Sequence, residues 1–284
     1  MSTIGKEIKD ETPTYKYLIA SALAEEMNAF YETDSAFDNR IPMSGEVEAT
    51  KLQFDQSEQL VLTFACARMG MPHNAAAIMH IIEKYQPAYI LFIGCCATLK
   101  DKGVKMGDVV IPKTVFNYEM GKYQGETFEP DNESYKLSER ILKYSESLAK
   151  SKPNWLDFNV CTDDDFSSGS VVVDSASKKE SIKELASRKA NGLDMEAYAL
   201  GAIQYLQKYK HVGVIKGVMD LAKDKTDSNK PLAIKNAAKF AYELLGHIEK
   251  SESRDINSIL RSPKENLIKR LTTVVINGLK HILH

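Results

Sequence analysis

No stretch of the 284 residues approaches the ~20 consecutive apolar side chains that span a bilayer, so a membrane-spanning helix is not expected. The first residues, MSTIGKEIKDETPTYK, hold no apolar core of the kind that drives secretion. Cysteine is scarce: Cys66, Cys95, Cys96 and Cys161 form neither a disulfide framework nor a zinc spacing. Three of them sit in apolar, strand-like stretches, where a reduced cysteine packs as a small hydrophobe. The expected setting is therefore cytoplasmic. Excess charge is also missing. A net charge of −2 and a pI near 6.3 give no electrostatic reason to expect nucleic acid or an anionic membrane as partner. The six histidines show no metal spacing. The acidic run at Asp163, Asp164 and Asp165 reads as a solvated loop. Neither a GxGxxG turn nor a P-loop occurs, so no dinucleotide or kinase-type site is expected. The expectation is no cofactor and no metal.

What the chain does have is apolar material, 43% of its residues, enough to bury a sizeable core. Residues 17–22 (YLIASA), 89–96 (YILFIGCC) and 212–218 read as buried strands, with further strands over 44–54, 59–67, 108–114, 158–161 and 171–173. Helices are expected over 24–31, 72–85, 136–149, 178–188, 195–208 and 231–248. Strands alternating with helices predict an α/β fold, a mixed and mostly parallel central sheet with helices on both faces. Ligands of such sheets bind beyond the carboxyl ends of the strands. Residues 1–14 read as a tail and 15–248 as one catalytic domain. Residues 249–284 read as a polar linker followed by an amphipathic helix, with Leu267, Leu271, Val274, Val275, Leu279 and Ile282 at helical spacing. That helix would dock on the domain or on a second subunit; a membrane-surface or effector-recruiting role is the alternative.

Acidic residues stand where apolar strands give way to loops or helices: Glu26, Asp220 and, one helix earlier, Glu196. Singly, each reads as a cap or a solvated side chain; together they mark strand ends at which an α/β enzyme holds its ligand. Five segments carry a resemblance: ASALAEEM (20–27), RMGMPHNAAA (68–77), IGCCATLKDKGVKMGDVVIP (93–112), LDMEAYAL (193–200) and IKGVMDLAKD (215–224). In order and spacing they resemble the nucleoside phosphorylase/nucleosidase superfamily, and in particular methylthioadenosine/S-adenosylhomocysteine nucleosidases. The resemblance implies cleavage of a purine N-ribosidic bond. It places Asp220 on the aspartate that helps protonate the purine at N7, and Glu26 on the glutamate that activates water. Glu196 falls on the glutamate that binds the ribose hydroxyls, and Met195 on the methionine packed against the sugar. Phe166, beside Ser167 in DDFSSGS, falls near the aromatic that stacks on the base. Gly94 and Cys95 fall in the family's Gly-Ser turn, Arg68 and Met69 in its second glycine turn. An oxocarbenium-like sugar needs these charges at both ends, and acid–base help is worth ~10²–10⁴-fold. Burial at the end of an apolar strand would raise the pKa of Asp220 toward what an acid needs.

Departures from the pattern sharpen the expectation. Phosphorolytic members carry an arginine and a serine where this chain has Phe92 and Cys95, and their early Gly-Asp-Pro-x-x-Arg motif is missing. A phosphate dianion then lacks its donors, which favours hydrolysis over phosphorolysis. Lys216, Lys223, Lys225 and Lys230 surround Asp220 in a run similar to nucleosidase-like domains that serve as bacterial defence effectors. That leaves a nucleotide open as substrate beside an adenine nucleoside such as methylthioadenosine. A solvated lysine loop is the plain alternative. A non-catalytic purine-sensing module is the third reading, disfavoured by the joint presence of Glu26, Glu196 and Asp220. The expected partners are a small purine nucleoside or nucleotide and a second copy of the chain in a homo-oligomer.

Overall fold

The computed structural model describes residues 15–55, 57–131, 133–185 and 190–261. In chain order these form β1 (Tyr17–Ser21), α1 (Ala24–Tyr31), β2 (Ile41–Pro42), β3 (Glu48–Phe54), β4 (Ser57–Ala65), α2 (Met71–Tyr85) and β5 (Tyr89–Thr98). There follow β6 (Val109–Val110), β7 (Thr114–Asn117), β8 (Gly121–Gln124), β9 (Thr127–Pro130), β10 (Ser134–Lys136) and α3 (Glu139–Lys150). The last third comprises β11 (Val160–Cys161), β12 (Asp165–Ser168), α4 (Ala176–Leu185), β13 (Ala190–Asp194), α5 (Ala197–Leu206), β14 (His211–Asp220) and α6 (Lys230–Arg261).

The expected α/β architecture is observed. One mixed sheet of 12 strands runs β10-β7-β12-β13-β5-β1-β4-β3-β2, with β14 also paired to β5, and β6 joining β14 to β11. Its centre is parallel: β1 pairs with β4 and β5, and β5 with β14. The edges β2, β3 and β10 are antiparallel, as is the β5–β13 contact. The central strands are mostly apolar because both faces are covered. Alternation assigns the faces. Tyr17, Ile19, Tyr89, Leu91 and Ile215 point to the side where α1, α3 and α6 supply Phe30, Ile141 and Phe240. Leu18, Ala20, Ile90, Phe92, Val212 and Val214 point to α2 and α5, which supply Ile78, Ile82 and Leu200.

Several expectations needed correction. Residues 171–173 form no strand, although three valines favour one; Val171 and Val172 are about half exposed on the segment between β12 and α4. The strand of that region is β12, and β13 and the β8–β9 hairpin went unforeseen. The polar stretch after Ile248 is not a linker up to Arg261, because it continues α6. Its polarity has a purpose: Glu249 accepts hydrogen bonds from Lys16, the Tyr17 hydroxyl at 2.6 Å and Ser57 Oγ at 2.9 Å. Glu252 takes the Tyr89 hydroxyl at 2.5 Å. The amphipathic segment 267–282 and the tail 1–14 lie outside the described residues. No helix among the described residues is long and apolar enough to cross a membrane.

Candidate active site

At the carboxyl ends of β1, β5, β13 and β14 lies a cavity of about 240 Å³. Of the residues singled out in the sequence, Glu26, Met69, Cys95, Met195 and Glu196 line it.

Glu26 comes from the first turn of α1. One carboxylate oxygen reaches back to the N–H of Leu23 at 3.0 Å, as an acidic residue three places into a helix can. The other accepts from the N–H of Cys95 at 3.1 Å, a bond that crosses from helix to sheet. The carboxylate lies directly against Gly94, where any Cβ would collide with it. Gly94 is therefore the floor beneath Glu26 and lies outside the cavity lining. Burial pushes the Glu26 carboxyl above its usual range and Glu196 adds to this, while Lys216 and the two N–H donors pull the other way. Burial likewise pushes the Cys95 thiol up to about 12.

Across the cavity, Glu196 sits at the N-cap of α5. Its Oε1 accepts the N–H of Gly70 at 2.9 Å, tying it to the start of α2. Its Oε2 lies 3.1 Å from Lys216 Nζ, and Asp194 Oδ2 lies 3.5 Å from the same ammonium. Asp194 accepts from Ser168 Oγ at 2.7 Å and from the N–H of Ala197 at 3.1 Å, closing the first turn of α5. Burial holds its carboxyl above the ordinary range, with Lys216 opposing. Burial works against the charge on Lys216, but Glu196, Asp194 and Glu26 outweigh it and hold the ammonium well above its usual pKa.

Asp220 closes β14, 5% exposed, beside the lining and not within it. The β14–β5 register slips between Val218 and Asp220, an irregularity of the kind that re-aims side chains near active sites, and Met219 is the residue that lines the cavity. Asp220 Oδ1 accepts the N–H of Ala222 at 2.7 Å; Oδ2 lies 3.1 Å from Lys225 Nζ, within ion-pair distance but without the alignment of a hydrogen bond.

Besides Gly94 and Asp220, three more residues expected at the site lie outside the lining. Phe166 is fully buried and packs onto Gly192, whose missing side chain makes room for the ring. Its neighbour Ser167 is buried too, its hydroxyl without a partner among the described residues. Arg68 is exposed, and its carbonyl accepts from Asn74 Nδ2 at 3.0 Å. The apolar wall is instead made by Val171, Val172, Val173, Ala97 and Leu193. Asp194 went unforeseen, although it directly precedes Met195. Lys216 was noted only as part of a lysine cluster; a lone charge inside an apolar strand was the signal that it is buried and paired. Among the described residues no group of three or more His, Cys, Asp or Glu side chains is placed to hold a metal. Asp164 of the acidic run is taken up by Lys100 at 2.6 Å and Asn191 at 2.7 Å.

The chain matches the phosphorylase superfamily over residues 16–248, and belongs to it. Among solved structures it is similar to the methylthioadenosine/S-adenosylhomocysteine nucleosidase of Helicobacter pylori, at 17% identity and a TM-score of 0.65, over 82% of this chain and 99% of that one. The corresponding nucleosidase of Neisseria meningitidis, complexed with methylthio-immucillin-A, gives 18% identity and a TM-score of 0.65 over 81% and 98%. The futalosine hydrolase of Helicobacter pylori gives 16% and 0.64 over 84% and 98%. At such identities the likeness is one of fold. A comparison with curated proteins finds no match.

Proposed function

We propose that this protein hydrolyses the N-ribosidic bond of an adenine nucleoside or nucleotide, releasing adenine and the free sugar. The observation that carries the reading is the pair of buried carboxylates, Glu26 and Glu196, at 3% and 4% exposure on one small cavity at the strand ends. Glu26, held by two backbone N–H groups, is the base that takes a proton from water as it attacks the anomeric carbon. Glu196 accepts the ribose hydroxyls and favours positive charge on the sugar. Asp220, which takes up a proton from solvent as its ion pair with Lys225 opens, delivers that proton toward the departing purine. The half-buried Val171–Val173 segment and Met195 supply apolar contact to base and sugar. Membership of the superfamily supports the reaction class, and one of the similar solved structures holds methylthio-immucillin-A.

Water is the nucleophile because the lining holds no arginine and its three lysines are engaged: Lys216 by Glu196 and Asp194, Lys225 by Asp220, and Lys230 by Glu25. A nucleotide substrate is the second reading, favoured by Lys225 and Lys230 on the cavity wall. Incubation with methylthioadenosine, adenosine, AMP and ATP, with and without phosphate, followed by chromatography, tests both. Free adenine from at least one of them without phosphate is expected. A sugar 1-phosphate, or an absolute need for phosphate, overturns hydrolysis. No product from any of the four overturns the enzymatic reading for these substrates.

A further inference from the structure

Lys216 stands midway along β14, the one charged residue between Val212 and Met219, and is 1% exposed. None of the roles proposed above uses it. An unpaired ammonium so deep would be strongly disfavoured; this one faces carboxylates from three elements, Glu26 on α1, Asp194 on β13 and Glu196 at the start of α5. Its Nζ also lies 4.9 Å from the centre of the Phe92 ring. We propose that Lys216 is the positioning residue of this site: its one ammonium fixes Glu196 toward the cavity and supplies the positive charge that Glu26 meets there. The role for Glu196 rests on the nucleosidase reading; the claim about Glu26 stands apart from it.

The charges around Glu26 explain why one lysine is decisive. Like-charged carboxylates crowded into one site cannot all ionise. Glu196 and Asp194 both share the cavity with Glu26, and Asp227 lines it too. Opposing them are two backbone dipoles, from Leu23 and Cys95, and three lysines. Lys225 is held by Asp220 and Lys230 by Glu25. The thiols of Cys95 and Cys96 are kept neutral by burial. Lys216 is paired too, but its side chain is 1% exposed against 26% for Lys225 and 23% for Lys230, so its field reaches Glu26 with the least screening by water. A lysine serving only to hold strands and helices together would affect the melting temperature, with no effect on the titration of Glu26.

The test follows the side-chain carboxyl carbon of Glu26 by NMR against pH in ligand-free, ¹³C-labelled protein, with the resonance assigned by its loss in Glu26→Gln. Lys216→Met is expected to raise the midpoint by about one unit or more, a tenfold loss of the ionised form at a given pH below it. Lys216→Arg, which keeps the charge, should return it close to the native value. Should Lys216→Met fail to fold, Glu196→Gln carries the test, since it keeps an acceptor for Gly70. Deleting a like charge and freeing the ammonium must lower the midpoint. A folded Lys216→Met with an unmoved midpoint, or an unmoved or raised one in Glu196→Gln, overturns the proposal. These measurements need no substrate, so they succeed or fail independently of adenine release. Where adenine is released, the acidic limb of kcat/KM should move with the midpoint and KM should rise in Lys216→Met.

Discussion

Gly94→Ala should nearly abolish the proposed adenine release without unfolding the protein. An added Cβ would stand 2.7 Å from Glu26 Cδ and collide with the nearer carboxylate oxygen, about 0.8 Å inside the ~3.5 Å at which carbon atoms rest. The object struck is the end of a flexible side chain, so Glu26 moves and the sheet stays. A retreat of that size stretches the 3.1 Å bond from the Cys95 N–H past its useful range. It also displaces the base from the attacking water. Misplacement by 1 Å is worth on the order of 10²-fold in rate, and kcat for adenine release should fall by about that factor with KM little changed. Gly94 has φ +154°, a conformation that costs a side chain about 1–3 kcal/mol. At roughly 2–4 °C per kcal/mol for a chain somewhat smaller than this, the melting temperature should drop by no more than about 10 °C.

Gly103→Ala is the control for backbone strain. Gly103 has φ +82° and nothing within 4 Å of its Cβ position, so it should lose stability and keep activity. The double variant Gly94→Ala/Glu26→Gln should be no slower than Glu26→Gln alone, because both changes remove the same group. If Gly94→Ala keeps more than about a tenth of kcat, or slows the Glu26→Gln variant further by a comparable factor, the close approach to Glu26 is not what makes this glycine necessary.

Asp220→Asn keeps the side chain's size and the bond from the Ala222 N–H but loses the donated proton. A fall in kcat of ~10²-fold or more with modest change in KM is expected, and retention of more than about a tenth of kcat would remove Asp220 from the chemistry. Because burial raises the Glu26 carboxyl and the base works ionised, the acidic limb of kcat/KM should lie above the ordinary glutamate value of ~4.3; its disappearance in Glu26→Gln, measured on the residual rate, checks the assignment. The same raised carboxyl favours the fold most below the unfolded value, and that contribution fades as pH rises through the folded one. Glu249→Ala should cost about 2–4 kcal/mol, since it leaves the fully buried Tyr17 hydroxyl without its acceptor; thermal unfolding within 2 °C of wild type would show that the network adds little. Glu249 is held below its usual pKa because Lys16, Tyr17 and Ser57 outweigh burial, so its contribution is present above the unfolded value and lost as pH falls through the folded one.

The elements legible in the sequence were those whose burial writes a pattern. β1, β5 and β14 are covered on both faces and read as apolar runs, broken in β14 by Lys216, and α1 is delimited to the residue. β13 left no such trace: ANGLD is short and holds glycine and asparagine, and its place is set by partners, β12 on one side and β5 on the other. Glu249 and Glu252 look like solvated charges until Lys16, Tyr17 and Tyr89, more than 160 positions away, are folded against them. The same holds in the site. Glu26 and Glu196 could be picked out from their positions at strand and helix ends. That Phe166 sinks beneath Gly192, and that Asp194 and Glu196 share one lysine, depends on contacts between distant strands.

The charge arrangement also bears on which anions the cavity can admit. Each lysine on its wall already has a carboxylate, so an entering phosphate gains an ammonium only by displacing an acid. Freeing Lys216 would strand Glu196 and Asp194, both almost wholly buried, and an unpaired buried carboxylate is costly. Freeing Lys225 exposes Asp220, 5% accessible, to the same difficulty. Lys230 differs, since the side chain of its partner Glu25 is 50% exposed and can return to water, and such half-solvated pairs are held weakly. Inorganic phosphate, which must sit beside the anomeric carbon to attack it, is therefore opposed at the deep lysine where it would be needed. A phosphate carried on a substrate's 5′ end has an easier partner in Lys230, on the same cavity wall and 23% exposed. The arrangement that argues against phosphorolysis thus leaves room for a nucleotide substrate.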